Sequence, residues 1–368
     1  MKFTKIRRHG SALALMAVAA ATAASAETDL LFGTYVSDTT QLNIAGFNPY
    51  VKTLQDSGEF NVTSLTDGAV VTARTTLPGL ADGVVDLTYI PAVYYPAELP
   101  VTNVFVNLGA TMSNVPAAIG AIIEVSKLDC PQCEAEGEKM NFVDLGSWSL
   151  TPYRLLCAKP VKTAQDVNGL RIRAAGHTIA IVNAMNATPT NVPSSEVYEV
   201  VQRGQVDCVF APIAWLDEYA LGELVQNVTM VSAGTIPSAA AFAFRRDKWN
   251  ELTTAQRQVL LDAAPMAVAG ALFGTQGSDI SALERPGVEF NVTEASADLQ
   301  AIIDTAIETQ VVSAVQTAKD AGVKDAQALV DRYLATYERW QALVEGVDTP
   351  EAYAQLLRDE VYSKIKVE

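Results

Sequence analysis

Arg171 and Arg173 flank a single isoleucine in the stretch LRIRAAG, and His177 follows at once. A guanidinium stays charged when desolvated and offers parallel N–H donors to both oxygens of a carboxylate, so an arginine at a strand end suits an organic anion. The rest of the chain is acidic, with 42 Asp and Glu against 26 Lys and Arg. Such a surface repels nucleic acid phosphates and anionic lipid headgroups, which argues against nucleic acid as a partner. Any anion site must be a local exception.

Cys130 and Cys133 enclose two residues in DCPQC, while Cys157 and Cys208 stand alone. An even set in an oxidising compartment points to disulfides, and four cysteines allow three pairings. The spacing favours a local Cys130–Cys133 bridge, with Cys157–Cys208 as the remainder. A thioredoxin-like site would need a much smaller domain around it, and a zinc site would need more ligands than His177 supplies. No metal and no cofactor is expected.

Catalytic patterns are missing. There is no G-x-S-x-G, H-E-x-x-H, Walker loop or G-x-G-x-x-G, and His177 lies beside no nucleophile motif. A pair of carboxylates could still do acid–base work, but no spacing singles one out.

Elements that could position Arg173 are readable. A basic start (Lys2, Lys5, Arg7, Arg8), an apolar run and Ala24-Ser25-Ala26 read as a cleavable signal peptide over 1–26, with the exported chain starting at Glu27. Its loss takes the formal charge from -16 to -20. No later segment reads as long and apolar enough to span a bilayer. With 368 residues, 49% hydrophobic and 18% charged, the chain is globular and long enough for two cores.

DLLFGTYV reads as a strand, residues 40–56 as a helix, FNVTSLTDG as a strand and TTLPGLADGVVDLTYIP as helix, turn and strand. TPYRLLCAKPV, LRIRAAG and VDCVFAP are strands in the second half, with a helix opened by a Ser194 cap before the last. LADGVVDLTYIP and VQRGQVDCVFAP share helix end, Gly, Asp, apolar strand and Pro. This order predicts an α/β fold with parallel sheets in two similar domains, and sites at strand ends. Leu299, Ile302, Ile303, Ala306, Ile307, Val311 and Val315 recur at helical spacing as one long C-terminal helix.

KPVKTAQDVNGLRIRAAG, SSEVYEVVQRGQVDCVFAP and RRDKWNELTTAQRQVLLDAA, in that order and spacing, resemble the solute-binding proteins of TRAP transporters, the DctP family. The resemblance covers nearly all of the chain after residue 26. It implies a two-lobed periplasmic binding protein fold with a ligand cleft between the lobes and a long C-terminal helix bracing both. Domain I is expected at 27–150 plus 239–278, domain II at 151–238 plus 279–340, and a C-terminal helical extension at 341–368. The implied function is a periplasmic receptor, a monomer, that binds a small organic acid and hands it to the TRAP membrane permease subunits.

By the same resemblance Arg173 matches the family's carboxylate clamp, and Arg171 falls where a lysine is common. Tyr35, Ile90, Trp148, Tyr153, Ser194, Phe210, Ala211 and Trp215 follow as ligand-binding candidates by position. The chain departs from the family at Tyr153, where a second arginine is usual, and at Ala211, where an asparagine is usual. Alternation along the strand turns Arg154 the other way, so it does not restore the charge. One charge clamp with an apolar, aromatic body suits a monocarboxylate of like character. The alternatives are the binding protein of an ATP-driven importer and an exported enzyme acting on a carboxylic acid.

Overall fold

A computed structural model describes Met1 and residues 27–367. The remainder of the leader read at 1–26 lies outside the described residues. Among the described residues, eleven strands form two sheets: β1 (Thr28–Gly33), β2 (Phe60–Leu65), β3 (Leu87–Thr88), β4 (Phe142–Ser149), β5 (Arg154–Cys157), β6 (Arg171–Arg173), β7 (Thr188–Thr190), β8 (Cys208–Ala211), β9 (Asn227–Met230), β10 (Pro237–Arg245) and β11 (Asn291–Glu294). The first lobe carries the order β2-β1-β3-β10-β4, the second β11-β9-β5-β8-β6-β7.

Neither sheet is purely parallel, as the helix–strand order had suggested. β10 runs antiparallel to β3 and β4, and β5 antiparallel to β8 and β9. These are the two strands by which the chain re-enters a lobe from the other, after β4 and after β9. Most strands end at the cleft, so a strand that starts there must run the opposite way. The similar segments noticed in the sequence do the same work. Asp86 accepts the N–H of Leu31 and pairs with Arg245, while Asp207 accepts the N–H of Arg171 and pairs with its guanidinium.

The crossovers bind each other. The N–H of Tyr153 donates to Gly234 at 2.8 Å and that of Thr235 to Gly109 at 3.0 Å, while the Ser149 and Thr235 hydroxyls meet at 2.7 Å. Both disulfides are present, Cys130–Cys133 and Cys157–Cys208. The second joins directly opposed residues of β5 and β8.

The stripe from Leu299 to Val315 is divided between helices Ala297–Glu308 and Gln310–Asp320. The first packs on helix Thr178–Ala184 of the second lobe, the second on helix Thr102–Asn107 of the first. Helix Ala326–Leu343 then covers helix Val115–Leu128, with the Trp340 indole laid over Gly120, and Pro350–Glu360 packs on helix Thr254–Leu283. From Gln310 onward the chain therefore joins the first lobe, whereas residues to 340 were expected in the second. Periodicity reveals a buried face but not the surface that buries it.

Helix Thr254–Leu283 has 30 residues and contains an 18-residue window of mean hydropathy 1.3, so by length and composition alone it could cross a bilayer, contrary to expectation. Here it is a core helix, packed against Leu42–Phe47, Asn48–Asp56, β4 and Pro350–Glu360.

Candidate ligand-binding site

Strand ends from both lobes converge on one space of about 40 Å³. Tyr35 follows β1, Tyr89 and Pro91 follow β3, and Trp148 ends β4; Arg173 ends β6, and Tyr153 and Ile236 precede the re-entering strands β5 and β10. Ser194, Trp215 and Tyr219 complete much of the second lobe's side.

Arg173 is 1% exposed. Its Nε and Nη2 donate to the carbonyl of Val192 at 3.1 and 2.9 Å, and Nη2 also donates to the Tyr94 hydroxyl at 3.1 Å. Its guanidinium carbon lies 5.2 Å from the centre of the Trp215 ring, a cation–π arrangement that needs no hydration. Nη1 is buried without a hydrogen-bond partner, and no acid pairs with Arg173 among the described residues. A desolvated cation without a counter-ion is costly unless an anion comes to it.

A second donor shares that condition. Nε1 of Trp148 is buried and unpartnered. Trp148 packs edge-on to Tyr89 at 5.9 Å, and Tyr89 stacks on Tyr35 at 5.8 Å; across the cleft Trp215 packs edge-on to Tyr153 and Tyr219 at 6.3 and 4.9 Å. Burial raises the pKa of Tyr35, Tyr89, Tyr153 and Tyr219 above the ordinary phenol value, so they remain neutral donors. The walls are aromatic, with few charges.

Ser194 does not cap its helix. Its N–H donates to Tyr94 at 3.1 Å, and its hydroxyl meets those of Tyr219 and Tyr35 at 3.3 and 3.5 Å. Direct hydrogen bonds thus join the lobes.

Of the residues expected from sequence, Tyr35, Trp148, Tyr153, Arg173, Ser194 and Trp215 come together around this space. Ile90, Phe210 and Ala211 do not line it; all three are fully buried in the cores behind it. Arg171 is half exposed and paired with Asp207 at 2.8 Å, outside the site. Arg154 points to the carbonyl of Val231, also outside it. Tyr89, Tyr94, Tyr219 and Glu218 were not anticipated. Tyr89 directly precedes the flagged Ile90, so strand alternation could have found it; the others sit on short helices and turns with no periodic signal.

His177 is not at the site. Its Nε2 meets the carbonyl of Ala233 at 2.8 Å beside the crossover, and burial lowers its pKa to about 4. It is a neutral packing residue there.

Two lobes, crossovers between them and an unpaired cation in the cleft define a solute-binding protein of the periplasmic type. More particularly, the chain belongs to the bacterial extracellular solute-binding protein family 7, DctP, whose model matches residues 32–273. It is 26% identical over 194 residues to the ectoine-binding periplasmic protein TeaA of Halomonas elongata, a match that spans 51% of this chain and 55% of that one. The fold is shared with a marine metagenome TRAP solute-binding protein specific for aromatic acid ligands (TM-score 0.76, 19% identity, 85% of this chain and 99% of that one). It is shared too with a TRAP solute-binding protein of Rhodoferax ferrireducens in complex with copurified benzoate (TM-score 0.74, 16% identity, 86% and 99%).

Proposed function

We propose that this protein is the extracytoplasmic solute receptor of a TRAP transporter, exported by removal of 1–26, and that it delivers a small organic acid to the membrane permease without transforming it. The ligand is a monocarboxylate with an apolar or aromatic body, clamped by Arg173. One observation carries this reading: the Arg173 guanidinium is buried with Nη1 unpartnered and no acid beside it. Trp148 Nε1 supplies a further free donor at the same space, and the aromatic walls suit an aromatic body. Solved relatives that take benzoate and other aromatic acids support the same class.

The space of about 40 Å³ has room for only about three water molecules, so an acid enters when the lobes part and then re-close around it. Closure desolvates the guanidinium–carboxylate pair, and that is how the ligand favours the closed form. Calorimetry with aromatic monocarboxylates and with a C4-dicarboxylate tests the reading. Binding of the monocarboxylates that weakens by about 2–5 kcal/mol in Arg173→Ala is the expected result. Preference for the dicarboxylate, or unchanged affinity in Arg173→Ala, would overturn it.

A further inference from the structure

Glu218 has no part in the carboxylate clamp, yet it lines the same space as Arg173. It lies one helical turn after Trp215, the ring on which Arg173 rests. Its Oε1 accepts the N–H of Gln41 at 3.1 Å, and its main-chain oxygen accepts the Thr39 hydroxyl at 3.1 Å, both from the opposite lobe. Oε2 has no hydrogen-bond partner among the described residues. No cation pairs with the side chain there, and the neighbouring charges, Asp279 and Asp217, repel it. Burial, with a smaller contribution from those acids, pushes its carboxyl up to about 7. The cleft therefore holds a buried cation and a half-buried acid that do not neutralise each other. Perturbed groups of this kind in a cleft mark functional positions.

We propose that Glu218 determines specificity by accepting a hydrogen bond from an O–H or N–H donor on the part of the ligand away from its carboxylate. The ligand would then bridge Arg173 and Glu218, as a hydroxy acid or as an acid carrying a cationic nitrogen. Tyr35, Tyr89 and Tyr219 line the same space, and their ring faces suit either a phenol or a cation. The inference rests on the reading of Arg173 as the carboxylate clamp.

The test compares benzoate, 3-hydroxybenzoate and 3-(aminomethyl)benzoate by calorimetry, on the wild type and on Glu218→Leu. Because loss of the Gln41 contact affects closure around all three acids alike, the readout is the affinity ratio between acids. One or both donor-bearing acids should bind about tenfold or more tighter than benzoate to the wild type, and the ratio should fall to near one in Glu218→Leu. Preference for the phenol alone or for the ammonium alone tells which donor is recognised. Benzoate binding as well as the other two, or a preference that survives Glu218→Leu, would overturn this inference and leave the clamp standing. Failure of all three acids to bind would overturn the monocarboxylate reading and this inference with it.

Discussion

The Tyr94 hydroxyl, from the first lobe, lies 3.1 Å from Nη2 of Arg173 and 3.1 Å from the N–H of Ser194, both in the second. A guanidinium and a backbone N–H are a donor pair that a carboxylate would also use. Tyr94 and an incoming acid therefore compete for the same two donors. Tyr94→Phe removes the competitor. Ligand affinity should rise about three- to tenfold, the value of one net hydrogen bond. Small-angle scattering should also show a more open free protein. A tenfold loss of affinity would instead make Tyr94 a direct ligand contact.

Charge alone is not enough at position 173. In Arg173→Lys a point charge cannot reproduce the planar fork, nor rest as a plane on Trp215 at 5.2 Å, so binding should stay poor. Arg171→Ala should leave affinity within about threefold, because an exposed ion pair contributes at most about 1 kcal/mol. Isothermal calorimetry on both variants separates a fork from a field.

Buried His177 and half-buried Glu218 give stability opposite pH dependences. The folded pKa of His177 is lowered to about 4, so its contribution is complete above the ordinary histidine value and is lost as pH falls through 4. Between neutrality and pH 4 that amounts to about 2–3 kcal/mol, and His177→Gln should lose that slope in thermal melts. The folded pKa of Glu218 is raised to about 7, so its contribution is complete below the ordinary carboxyl value and is lost as pH rises through 7. Glu218→Gln should therefore melt higher than wild type at pH 8, with the difference closing near pH 4.5.

Gly234 sits in the crossover with φ +70°, and a Cβ there would lie 2.4 Å from the Ala110 Cα and the Gly109 carbonyl oxygen. Gly204 also has positive φ, but no atom lies within 4 Å of the Cβ position. Gly204→Ala should cost about 1–2 kcal/mol in denaturant unfolding, the backbone penalty alone. Gly234→Ala should cost more and shift ligand affinity too, because the crossovers must move for the cleft to open.

The two disulfides should differ in worth. Cys157 and Cys208 are 51 residues apart and join opposed positions of β5 and β8, whereas Cys130 and Cys133 are 3 apart. Chain-entropy scaling assigns about 4 kcal/mol to the long loop and about 2 to the short one. Paired Cys→Ala variants, melted under oxidising conditions, should rank in that order.

Much of this was present in the amino-acid order. The segments around Asp86 and Asp207 announced two like α/β units, the motifs around Arg173 carried the family, and strand alternation turned Arg154 away from its neighbour Tyr153. These are local properties, set by backbone period and by the residue types each turn requires. What sequence could not decide was which surfaces meet. Leu329, Tyr333 and Trp340 form an apolar face whatever they cover, and only packing placed it on the first lobe. Ile90, Phe210 and Ala211 had the right positions at or just past strand ends but are buried in the cores, while Tyr94 and Glu218 reach the site from short helices without a repeating pattern. A cleft between lobes is made by residues far apart in the chain, 79 positions for Tyr94 and Arg173 and 159 for Tyr35 and Ser194, and no local periodicity records that distance.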